Sequence, residues 1–283
     1  MILPPAQILG IFFALTAAFV WGGSDFTGGY ASRRSSQFQV LVLSALSGLV
    51  ILILAAILWR ESFPSAPGIL WSVLAGACGA VGLAALYRAL STGEAASVAP
   101  TAAVVGAALP VLYSGLTEGI PASTKLIGFG LALAGIWVVS AASNATGEGR
   151  RRGYLLAFLA GVGFAGFFIC LSQVEAGKVF TPLIIARCLT FLIGLVAMRL
   201  QRLPLPAITS NPPALLAGLL DAGGNLFFLL SMQFTRLDIS VVLASLYPAT
   251  TVVLAGMILR QKVNLVQWIG VAICLAAIVL ITA

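Results

Sequence analysis

Four ionisable side chains, Asp25, Arg88, Arg187 and Asp221, lie within long apolar stretches of this sequence. They are the residues best able to do chemistry. In lipid, a charge at the centre of a helix costs about 2.5–3.5 kcal/mol on insertion scales, so it faces a cavity or a partner. Asn225 follows Asp221 by four residues, which puts both on one helical face. Such a group can bind the charged end of a ligand or carry a proton. Arg187 is the cation whose depth best matches Asp221, while Asp25 and Arg88 approach one mouth of the bundle. Each pair has two readings: a salt bridge that only locks helices together, or a seat for the two ends of a zwitterion. Trp21, Tyr87 and Tyr247 could line the same cavity and stack on a substrate; the other reading is the aromatic belt at the membrane surface. Trp59, Trp71, Trp137 and Trp268 lie nearer the span ends and suit that belt.

Other chemistries find no residues. There is no histidine, and the four cysteines (Cys78, Cys170, Cys188, Cys274) are scattered through apolar stretches without a CxxC. Neither a metal site nor a disulfide framework is expected, and no cofactor. Gly161, Gly163 and Gly166 match GxGxxG, but inside an apolar helix rather than after a strand, so they read as close helix packing. No Walker A motif is present to bring ATP hydrolysis into the chain itself.

The elements that hold these residues follow from composition. Of 283 residues, 60% are hydrophobic and only 8% charged, and the mean hydropathy is +1.10. An ordinary soluble domain carries about 25% charged residues, so a soluble fold and a disordered chain are both excluded. Apolar blocks of about twenty residues, the length that crosses a bilayer as helix, fall near 7–29, 38–58, 68–91, 95–116 and 124–143. A second set falls near 153–174, 180–200, 212–234, 239–259 and 264–282. The fold expected is all-α and integral to the membrane, with ten transmembrane helices. No basic n-region precedes the first span, which is therefore expected to stay in the membrane.

The two sets are copies. An offset of 143 residues pairs Ala17 with Ala160, Gly23 with Gly166, and Ser97-Val98 with Ser240-Val241, without gaps through four spans. The expected organisation is a first repeat over 1–143, a polar linker over 144–152 and a second repeat over 153–283. Five spans is an odd number, so the second copy enters the membrane from the opposite side. Inverted five-helix repeats are an architecture of secondary transporters, with the substrate site near the midplane. Pro248 in the ninth span and Pro110 in the fourth each remove a helical hydrogen bond, and matching interruptions of this kind point to a binding site.

Specific segments resemble a known family. Ala95-Ala96-Ser97-Val98-Ala99-Pro100, Ile239-Ser240-Val241-Val242, and Leu246-Tyr247-Pro248-Ala249-Thr250-Thr251 are similar to the EamA-type repeat of the drug/metabolite transporter superfamily. Val263 to Gly270 and Trp21-Gly22-Gly23-Ser24-Asp25-Phe26 resemble its close and its opening. The sequence departs from the pattern in two places: Arg260-Gln261 stands where Gly-Glu is usual, and Ser44 aligns with Arg187 where the first repeat often has arginine. The resemblance implies a secondary carrier of small metabolites, often an exporter of amino acids or related compounds. The alternative is a membrane-embedded enzyme or assembly factor acting on lipid-linked substrates. That reading lacks the clustered catalytic residues it needs.

Net charge is +7, but the basic residues are scattered, with Arg150-Arg151-Arg152 the only cluster, so nucleic acid is not an expected partner. The partners expected are a small-molecule substrate, protons and membrane lipids, in a monomer or homodimer of the inner cell membrane. Loops on the side opposite the chain start hold ten Lys and Arg (33, 34, 88, 150–152, 199, 202, 260, 262) against four on the starting side (60, 125, 178, 236). Cytoplasmic loops are enriched in basic residues, which predicts both termini outside. The resemblance implies termini inside.

Overall fold

A computed structural model describes residues 5–91, 95–141, 149–250 and 265–282. Among them no strand occurs, and nearly every span is helical. The helices are α1 (Pro5–Ser32), α2 (Gln37–Trp59), α3 (Ala66–Ser91), α4 (Ala95–Thr117), α5 (Ser123–Ala141), α6 (Gly149–Ser172), α7 (Phe180–Leu200), α8 (Pro212–Met232), α9 (Leu237–Ala244) and α10 (Leu265–Thr282). Six of them, α1, α2, α3, α6, α7 and α8, contain segments long and apolar enough to cross a membrane; α4, α5 and the stretch Leu237–Thr250 supply shorter apolar helices. The second part of the expected ninth span and the break before Asn264 lie outside the described residues. So does 144–148 of the linker, whereas 149–152 already belong to α6.

Local chemistry sets the ends. Ser36 caps α2: its backbone N–H donates to Gln39 Oε1 at 3.1 Å, and its hydroxyl accepts from Phe38 N at 3.4 Å. Gly119 and Gly177 take φ of +88° and +85° in the turns after α4 and α6, a conformation glycine adopts without a Cβ penalty. The interruption expected from Pro248 appears directly after α9. The ninth span is interrupted at 245–246, where Leu246 N donates to Leu243 O at 3.3 Å and Ala249 N to Leu246 O at 3.0 Å, three residues back instead of four. Pro248 explains it, because it cannot donate to the Ala244 carbonyl. Pro110 produces no matching break: it is buried within a continuous α4.

Small residues fill much of the interior beside larger ones such as Leu41, Tyr87 and Phe228, and many other large apolar residues face outward. Ala14, Ala17 and Ala160 are fully buried, while Leu58, Leu116 and Leu200 are at least 80% exposed, as a lipid-facing surface requires. The GxGxxG run serves packing. A Cβ on Gly163 would lie 2.6 Å from Gly82 N, and one on Gly161 2.6 Å from Val105 Cβ, so α6 touches α3 and α4 almost backbone to backbone.

The interfaces come in related pairs. α1 packs along α8 as α6 does along α3, α2 on α8 as α7 on α3, and α4 on α6 as α9 on α1; α2 meets α7 and α5 meets α10. Adding five to one helix and subtracting five from its partner exchanges the members of each of the first three pairs and returns α2–α7 and α5–α10 to themselves. The start of α1 gathers with the α4–α5 and α8–α9 loops, and the latter two with the α6–α7 loop; this is the near end. There Glu61 accepts the N–H groups of Val179 (2.9 Å), Phe180 (3.2 Å) and Thr181 (2.7 Å) at the start of α7. Reciprocally, Glu175 accepts Ser65 N at 2.6 Å before α3. Arg236 donates to Gly119 O at 2.8 Å and pairs with Glu118. At the far end the α1–α2 and α7–α8 loops join through neutral groups, Gln39 Nε2 to Pro204 O and Asn211 Nδ2 to Ala31 O, both 3.0 Å.

Candidate functional site

Between these helices lies a cavity of about 70 Å³, lined by residues of α1, α3, α6, α7 and α8 and by Tyr247. Space of that order holds several waters or a small ligand group. Arg187, two turns into α7, forms an ion pair with Asp221 of α8, and their side chains are only 6% and 14% exposed. Asn225 Nδ2 donates to Asp221 Oδ2 at 3.0 Å, fixing the carboxylate from its own helix. Gly48 of α2 makes room for the pair: a Cβ there would come within 3.3 Å of Arg187 Nε and 3.1 Å of the Gly218 carbonyl.

Asp25 lines the same cavity from α1. Among the described residues it has no hydrogen bond or ion pair. It lies close enough to act electrostatically on the hydroxyls of Tyr87 and Tyr247. Trp21, one turn before Asp25, packs its ring 5.6 Å from Phe168 and 5.7 Å from Phe228. Gly224 of α8 is the gap that admits the Trp21 indole, which any Cβ would strike.

Of the eight residues singled out from sequence, six line the cavity: Trp21, Asp25, Arg187, Asp221, Asn225 and Tyr247. Two do not. Tyr87 is 1% exposed and stands behind the wall, its ring against Gly28 and its hydroxyl in reach of Ser44. Arg88, expected beside Asp25 at one mouth, is exposed and off the cavity. The reason is helical geometry: successive residues point about 100° apart, so one depth does not mean one direction. Trp59, Trp137 and Trp268 are exposed, and Trp71 is half-buried.

Sequence reading missed Phe164, Phe167, Phe168 and Thr190. Thr190 was legible in principle, three residues after Arg187 on one face of α7; its hydroxyl donates to Gly76 O at 3.2 Å and Ala186 O at 3.0 Å. The phenylalanines are interleaved with the packing glycines of α6, whose pattern hid them.

The model of the EamA-like transporter family matches residues 8–141 and again 151–283. No curated protein sequence matches. A solved crystal structure shares the fold: 18% identity over 96% of each chain, with a TM-score of 0.77. The duplicated match spans nearly the whole chain, so this multi-pass membrane protein belongs to the EamA-like transporter family.

Proposed function

We propose that the protein is a secondary transporter of small, amine-bearing metabolites, working as an exporter in the inner cell membrane. One observation carries this reading: a largely apolar cavity among the helices, lined from both family repeats, has an ion pair on one wall and, on another, a carboxylate without a partner among the described residues. Ten spans in two inverted repeats fit the paired interfaces. They also fit the loop geometry, in which α1 begins at the end where α6 finishes. Access would alternate between the charged closure at the near end and the neutral one at the far end.

Buried charges are stable when paired. Asp221 is paired, which suits a scaffold role, whereas Asp25 is open to a proton or a ligand. Proton coupling through Asp25 is therefore favoured over coupling through Asp221, the carboxylate that sequence depth alone picks out. The test is uptake of a radiolabelled metabolite panel into proteoliposomes, with and without an imposed proton gradient. Gradient-dependent flux is expected. Covalent conversion of an added lipid-linked compound, with no flux of any panel member, would reject the reading.

A further inference from the structure

We propose that the cavity selects substrates with an uncompensated positive charge on nitrogen, a small amine or quaternary ammonium lacking a free carboxylate, with Asp25 as counter-ion. This rests on the transporter reading and narrows its substrate class. The charges decide it. Among the described lining residues, Arg187 is matched by Asp221 and nothing matches Asp25, so the formal charge of the lining is one negative. The rest of the wall is largely aromatic, with Trp21, Phe164, Phe168 and Tyr247 around the same space. Aromatic faces attract organic cations, more strongly where water is excluded, and they offer an anion nothing.

A zwitterion fares worse for a structural reason. Its carboxylate would need a cation, and the one cation described in the lining is held by Asp221, itself fixed by Asn225. Taking Arg187 would strand Asp221 as a buried unpaired charge. The charged and titratable groups facing Asp25 are Tyr87 from α3, Arg187 from α7, Asp221 from α8 and Tyr247 beyond α9. The small cavity volume favours a compact head group.

The experiment compares three ligands that share one branched four-carbon unit: isobutylamine, valine and isovalerate. Binding is measured to the purified full chain in detergent by competition against radiolabelled tetramethylammonium. Flux of tetramethylammonium into proteoliposomes, which cannot leak as a neutral base, is measured beside it. Isobutylamine should compete at least tenfold better than valine, and isovalerate not at all. Asp25→Asn should abolish tetramethylammonium binding at an unchanged size-exclusion profile, and Asp25→Glu should retain it. No binding of tetramethylammonium or isobutylamine to the wild type, or equal binding to Asp25→Asn, overturns the proposal. Valine flux without cation flux overturns it while leaving the transporter reading intact. A wider metabolite panel with no flux at all would remove both.

Discussion

At the scale of single residues, the centre of the molecule is an asymmetric set of charges. Arg187→Ala should be severe, because it leaves Asp221 in an apolar interior without its counter-charge, a loss of about 3–5 kcal/mol. Asp221→Ala alone strands the guanidinium in the same way. The double variant should be less destabilised than the sum of the two, as read from thermal melting in detergent. Strict additivity would mean the pair is incidental. This grouping was legible because both residues interrupt apolar runs at matching depth and Asn225 repeats the face of Asp221. Direction was not legible for Tyr87 and Arg88. Two adjacent residues cannot both point inward, and only packing against Gly28 and Ser44 decides between them.

At the scale of elements, lengths and stop signals gave most helices to within a few residues. The interruption of the ninth span could be expected from Pro248 but not its exact place, nor the intact α4 around Pro110. The near-end closure was hidden because its contacts join residues more than a hundred positions apart. Glu61 supplies acceptors to the first N–H groups of α7, where a helix has donors without internal partners. Glu175 does so for Ser65, and the Ser65 N–H, followed by its own backbone N–H, holds the Glu175 carboxyl below the usual carboxylate range. A lowered value means the contribution is full above the ordinary glutamate range and is lost as pH falls through the lowered one. Amide exchange over 62–68 should therefore accelerate as pH drops below about 4, beyond the intrinsic pH effect on exchange. Glu175→Gln should abolish that excess step. An identical step in the variant would assign it elsewhere.

At the scale of the molecule, the duplication was readable from a constant offset, but how the copies embrace was not. Periodicity reports which face is apolar, not which helix covers it. The extensive contacts run between copies: α1 with α8, α3 with α6, α5 with α10. Orientation in the bilayer is a separate question that charge can address. If the ten-to-four excess of basic residues governs, alkaline phosphatase fused after Ala283 should be active and green fluorescent protein there dark. The reverse pattern would place the Glu61 and Glu175 closure on the cytoplasmic side. The embrace of the copies also governs how the protein is made. Ser24 bonds to the Ala217 carbonyl across 193 residues of chain, which at about 5–20 residues per second is roughly 10–40 s of synthesis. For that interval α1 waits in the bilayer with Asp25 on its flank and α8 not yet delivered. A nascent chain stalled after α5 holds a carboxylate with no cavity around it, and cellular quality control can recognise that before any substrate is met.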